Sequence, residues 1–254
     1  MTYLRINGVD LYSEVEGTGS PVLLLHGGFC SMESMRAQAG ALVPDHQVFA
    51  YERAGHGRSA DIDEEYSYAR GVADTLAYLD AQGLESVDVI GYSDGAIIGL
   101  LLAMDHPERV RSLVSISANL DPTGFTHSAE TVGAVVLDSP QTDDAEEKPD
   151  VERAHYEQLS PDGPEHADEV LSKLFRLWTR EPTIDPADLS AVTARTLVMS
   201  GDRDTIRPDH SLLIASSIPG AQLCIVPGAT HGLIAERPDL INVIITAFLG
   251  QMDI

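Results

Sequence analysis

Lysine is almost missing: a chain of 254 residues carries only Lys148 and Lys173, and its basic residues total 16 against 40 acidic ones. The net charge of −24 repels phosphate backbones and anionic headgroups, which excludes nucleic acid and acidic membranes as natural partners. The acid excess reads first as a solvated surface and second as a field that gathers cationic substrates. Cysteine is scarce as well. Cys30 and Cys224 fit no metal or redox spacing and suit a reducing compartment. No apolar run nears the ~20 residues of a membrane helix. The opening stretch MTYLRINGVDLYSEV alternates like a strand, where a signal peptide would carry an apolar core. A cytoplasmic location is expected.

What remains is enough to fold. With 43% hydrophobic residues and a mean hydropathy of −0.04, the chain suits one large α/β domain or a core with one inserted subdomain. Residues 2–6 and 9–16 alternate around Asn7-Gly8, a hairpin signal. Pro21–Leu25 and Gln47–Tyr51 read as buried strands, and residues 32–43 and 66–83 as helices. Val110–Ser117, Arg195–Ser200 and Gln222–Val226 continue the strands, with helices over 208–217 and 232–249. Strand alternating with helix implies a mostly parallel, doubly wound sheet whose ligands gather at the strands' carboxyl ends. Residues 121–190 break that rhythm. They are rich in proline and acid, and helices are expected over 128–137 and over 165–180. The second places Leu171, Leu174, Phe175 and Trp178 on one face, which needs an apolar surface to rest on. The division expected is a core of 1–120 and 191–254 with a helical lid at 121–190.

The stretch that organises the rest is Val87–Gly99, VDVIGYSDGAIIG. A strand ends in Gly91-Tyr92-Ser93-Asp94-Gly95 and a helical run follows; the two glycines remove side chains that would clash in so sharp a turn. Ser93 would project above the sheet edge at a helix N-terminus. A serine hydroxyl needs a base to take its proton, and the base needs a third group to orient it. Two loops at later strand ends supply them: Gly201-Asp202-Arg203-Asp204 and Gly228-Ala229-Thr230-His231-Gly232. Asp204 lies further along its loop than Asp202 and is the chosen orienting carboxylate; Asp202 is assigned to the turn, and Asp121 is the outside alternative. His231 is the chosen base. An oxyanion needs two preorganised N–H donors. Asp94 offers one, and the loop His26-Gly27-Gly28-Phe29 the other, with Gly28 the first choice and Phe29 the second. His26 reads as a structural hydrogen-bonding residue.

The segments HGGF, ERAGHGRS, GYSDGA, HPERV, GDRD and GATHG follow one another at 26–29, 52–59, 91–96, 106–110, 201–204 and 228–232. In order and spacing they resemble the α/β-hydrolase superfamily, over roughly 20–120 and 195–250. Ser-Asp-Gly at the elbow, with Ser117-Ala118-Asn119 after the next strand, is similar to the esterase branch of valacyclovir-hydrolase-like (biphenyl-hydrolase-like) enzymes. The resemblance implies an α/β-hydrolase fold and a two-step hydrolysis through an acyl enzyme on Ser93. Lactones, thioesters and C–C bonds remain alternatives to a small carboxylic ester, as do cofactor-free haloperoxidase or perhydrolase side activity and a non-catalytic small-ligand binder. A serine at position 93 excludes the dehalogenase and epoxide-hydrolase chemistries of this fold, which need a carboxylate there. The lid resembles nothing specific.

Pocket residues are assigned with their plainer roles beside them. The Asp94 carboxylate either stabilises a helix N-terminus or pairs with a substrate ammonium. Cys30 lines the pocket or fills the core; Phe175 and Trp178 roof an acyl site or anchor the lid. His127, His155 and His166 have no ligand spacing, so neither metal nor cofactor is expected. The partner implied is a small ester-like molecule, and the oligomeric state is left open.

Overall fold

The computed structural model describes residues 2–126 and 150–250. Strands β1 (Thr2–Ile6) and β2 (Val9–Gly17) form the expected hairpin, with Asn7 at φ +45° and Gly8 at φ +87° supplying the left-handed pair that a two-residue turn requires. Then come β3 (Ser20–Leu25), α1 (Arg36–Leu42), β4 (His46–Tyr51), α2 (Tyr68–Ala81), β5 (Val87–Tyr92), α3 (Asp94–Asp105) and β6 (Val110–Ile116). Helices α4 (Val151–Leu159) and α5 (Ala167–Trp178) precede β7 (Arg195–Gly201), α6 (Pro208–Ser217), β8 (Gln222–Val226), α7 (Leu233–Glu236) and α8 (Pro238–Leu249).

The eight strands lie in the order β1-β2-β4-β3-β5-β6-β7-β8. The pairs β1–β2 and β2–β4 are antiparallel and all others parallel. From β3 the chain moves outward to β4, then returns to lay β5 on β3's other side. That reversal makes a switch point between β3 and β5, where a crevice opens at the carboxyl ends. The loop 26–29 and the Ser93 turn leave those two strands.

Period-two alternation divides the core between the sheet's faces. Leu23, Leu25, Val87, Val89 and Leu113 join α2, α3 and α5 on one face. Val22, Leu24, Ile90, Tyr92, Val114 and Ile116 join α1, α7 and α8 on the other. Helix α3 is apolar nearly all round because it lies between the sheet and α2, and Ala96, Ile98, Leu100 and Leu102 are at most 1% exposed. Among the described residues no helix is long and apolar enough to cross a membrane.

Three expectations need correction. The helix placed at 32–43 is a 3-10 turn, Met32–Met35, running into α1. The helix placed at 232–249 breaks at Arg237, whose φ −134° and ψ 46° are not helical; Pro238 lacks an N–H and disfavours helical backbone in the residue before it. Helix α4 was not expected. Its N-terminus is capped by Asp150, which accepts from the Arg153 N–H at 2.9 Å, and so draws on the acid-rich stretch. The helix expected at 128–137 lies outside the described residues. Helix α5 matches the 165–180 expectation, with Val170, Leu171, Leu174, Leu177 and Trp178 buried.

Candidate active site

Ser93 stands between β5 and α3 at φ 52° and ψ −118°, a left-handed backbone costing a non-glycine residue about 1–3 kcal/mol. The surroundings hold it there. Its N–H donates to Ile116 O at 2.8 Å, and its carbonyl accepts from Ala96 and Ile97 at 2.8 and 3.1 Å. The turn closes so tightly that a Cβ on Gly91 would stand 2.3 Å from Gly95 O, and one on Gly95 2.0 Å from Leu25 O. Only glycine fits at either place.

Three side chains from separate strand ends meet here. His231 Nε2 lies 3.1 Å from Ser93 Oγ, and His231 Nδ1 lies 2.7 Å from Asp204 Oδ1. Burial disfavours a charged imidazole, but the Asp204 carboxylate and its hydrogen bond, with Asp94 behind them, outweigh it and lift the His231 pKa above its usual 6.5. Burial likewise pushes Asp204 up, while His231, the Ile206 N–H and Ser117 pull it further down, so it stays ionised. An imidazole held this way can take a proton from a hydroxyl and be stabilised while it carries it.

Two supports for this line were not anticipated. Ser117 Oγ donates to Asp204 Oδ2 at 2.5 Å, and Tyr92 OH donates to His231 O at 3.0 Å. Each lies at the end of a strand, the one cue the sequence offered. Asp202 accepts from the Gly228 N–H at 2.6 Å and so braces the turn beneath His231. Asp121 caps its own turn through the Thr123 N–H at 2.7 Å, whereas the His231 ring bonds Asp204 and Ser93.

Asp94 is 3% exposed and heavily engaged. Its Oδ1 accepts from Tyr68 OH and from Trp178 Nε1, both at 2.9 Å, while Oδ2 lies 3.6 Å from Arg53 Nη2. The carboxylate thus holds two side chains through Oδ1 besides lying at a helix N-terminus. Trp178 anchors α5 directly to the residue after Ser93. Phe175, half-buried, packs edge-on against Trp178 at 5.6 Å. Cys30 is packed with Tyr12, Leu24 and Met32, and burial raises its thiol pKa well above normal. Phe29, at φ +55°, stacks on Tyr156 of α4 at 5.3 Å.

The Asp94 N–H begins α3 and the Gly28 N–H lies in the loop after β3; among the described residues neither has a protein acceptor. A cavity of about 40 Å³ lies behind Asp94, lined by Arg53, His56, Tyr66, Tyr68, Ile98 and Leu177 among others, apart from Ser93 and His231. No cluster of three metal-ligating side chains occurs among the described residues.

The chain as a whole is similar to several known proteins. RutD of Azorhizobium caulinodans, a candidate carbamate hydrolase, is 30% identical over all of both chains. The 2-hydroxymuconate semialdehyde hydrolase of Pseudomonas putida is 29% identical, over 94% of this chain and 90% of its own. The crystal structure of an enol-lactonase from Burkholderia xenovorans LB400 superposes with a TM-score of 0.80 over 98% of this chain and all of its own; at 21% identity this speaks to the fold alone. The family model for the alpha/beta hydrolase fold matches residues 20–168. With its mostly parallel eight-stranded sheet and the serine turn after β5, this chain belongs to the α/β-hydrolase fold family.

Proposed function

We propose that the protein is a serine hydrolase cleaving a small carboxylic ester, with Ser93 as nucleophile, His231 as base and Asp204 as its orienting carboxylate. The observation that carries this is the unbroken line Asp204–His231–Ser93, with contacts of 2.7 and 3.1 Å. As Ser93 Oγ attacks the substrate carbonyl, its proton passes to His231 Nε2, and the carbonyl oxygen becomes an oxyanion facing the N–H groups of Asp94 and Gly28. Collapse of this adduct breaks the bond to the alcohol, which leaves with the proton from His231. Water then adds to the acyl enzyme by the same relay and regenerates Ser93.

Residues 121–190 serve as a lid over this chemistry. Support comes from both described helices: Tyr156 of α4 covers Phe29, and Trp178 of α5 reaches Asp94. A reducing, cytoplasmic setting agrees with two cysteines that are both unpaired.

The test is fluorophosphonate labelling with a panel of p-nitrophenyl esters, lactones and aminoacyl esters, run on wild type and Ser93→Ala. A carbamate and 2-hydroxymuconate semialdehyde extend the panel toward the compounds that the relatives' names carry. Labelling and turnover that both vanish in Ser93→Ala are expected. A wild type neither labelled nor active on any activated ester overturns the reading in favour of a ligand-binding protein.

A further inference from the structure

Arg53, two residues beyond β4, has a side chain 11% exposed. It spends its hydrogens on main chain: Nη1 donates to His26 O at 2.6 Å and Nη2 to Gly27 O at 2.9 Å. Its own N–H donates to His26 Nε2 at 3.1 Å, which makes Nε2 the acceptor and leaves the proton on Nδ1, 2.8 Å from Gly27 O. Burial first, then the charge of Arg53 and the neighbouring His56, holds the His26 pKa far below 6.5, so this ring stays neutral and keeps that tautomer.

A trans peptide points its C=O and N–H in opposite directions. The Gly27 carbonyl takes three donors, Arg53 Nη2, His26 Nδ1 and, at 3.4 Å, the Cys30 N–H, and holding it there turns the Gly28 N–H to the other side of the loop. No donor among the described residues holds the Gly28 carbonyl, so the Phe29 N–H lacks an equivalent anchor. Two further facts keep the arrangement in place. The buried guanidinium has the Asp94 carboxylate 3.6 Å away as counter-charge. The loop also lies flush on the elbow and α5: a Cβ on Gly28 would stand 2.5 Å from both Asp94 Oδ2 and Trp178 Cζ2.

We infer that Arg53 is a positioning residue: it sets the Gly27–Gly28 peptide so that the Gly28 N–H serves with that of Asp94 as an oxyanion donor. The inference rests on Ser93 being the nucleophile and on the Gly28 N–H as the loop donor, and adds to that reading what aims this N–H. The guanidinium itself touches no reacting atom.

Arg53→Met and Arg53→Lys test it, with kcat normalised by active-site titration and affinity measured for a trifluoromethyl ketone, which adds to the serine as an oxyanion-bearing hemiketal. Arg53→Met should lower kcat by up to about 10²–10³-fold, the cost of one oxyanion donor lost outright, because His26 and the Cys30 N–H still hold the Gly27 carbonyl, with KM within about threefold. Ketone affinity should fall by the same factor, and Arg53→Lys, reaching one carbonyl, should recover part of both. A residue that merely supports the fold would lower Tm and the titratable fraction while leaving the ketone affinity of the remaining active sites unchanged; that result overturns the inference. Should Arg53→Met not fold, Arg53→Lys decides alone, and ketone affinity equal to wild type sinks the idea. A wild type that the ketone does not inhibit removes the hydrolase reading, and this inference with it; an inhibited wild type matched by both variants removes the inference only.

Discussion

Ser93 and Ser117 occupy matched places. Each follows a parallel strand, at φ 52° and 58°, and each N–H donates at 2.8 Å to a carbonyl of the adjoining strand, Ile116 and Met199 respectively. The left-handed turn is thus a product of how this sheet hands its chain onward, and strain alone does not mark a nucleophile. The difference lies in what each hydroxyl meets. Ser93 is partly exposed and faces an imidazole that can accept a proton. Ser117 is 1% exposed and gives its proton in a hydrogen bond to a carboxylate that never takes it. One backbone device supplies both the hydroxyl that meets His231 and the hydroxyl that braces Asp204 behind it.

Substitutions can separate the two roles. Ser93→Ala should lower kcat by about 10⁵–10⁶-fold, measured on the best ester of the panel, with Tm little changed. Asp204→Asn should cost about 10⁴-fold by leaving the imidazole in the wrong tautomer. It should also move the pH profile. Protonated His231 cannot act as base, so kcat/KM falls as pH drops through its pKa. In wild type that acid limb should lie above 6.5, because the carboxylate raises the pKa, and in Asp204→Asn it should move to lower pH. An unmoved limb would mean that another group controls it.

Ser117→Ala removes one donor from a carboxylate that keeps His231 and the Ile206 N–H. Urea unfolding should show a loss of about 1.5–3 kcal/mol, with kcat affected far less than in Asp204→Asn. The finest effect compares Ser117→Gly with Ser117→Ala. Both lose the hydroxyl, but glycine relieves the left-handed backbone, so it should be the more stable by about 1 kcal/mol. Equal stabilities would show that the turn at 117 carries no strain.

How much of this was legible in the sequence follows from range. The strands, the serine turn and the loops carrying Asp204 and His231 are written locally, in apolar runs punctuated by glycine, and the order of those runs along the sheet places the side chains together. Asp202 and Asp204 were separable because only the second lies far enough out to reach the imidazole. The engagement of Asp94 was not readable. Tyr68 and Trp178 reach it from α2 and α5, and no spacing rule links a tyrosine, an acid and an indole across such distances. The break before Pro238 was readable and was overridden by the apolar periodicity around it. Helix α4 escaped because its capping acid belongs to a dense run of acids, in which no single one stands out as a cap.

The indole on Asp94 has one more consequence. Trp178 is the only tryptophan of the chain, and its nitrogen is tethered to Asp94, the residue after Ser93. Nearly all the protein's long-wavelength ultraviolet emission thus originates from an indole against Asp94 and Gly28, beside the space that an acyl group on Ser93 would enter. Filling or emptying that space should brighten, dim or shift this light, so the molecule carries a built-in optical gauge of its own occupancy.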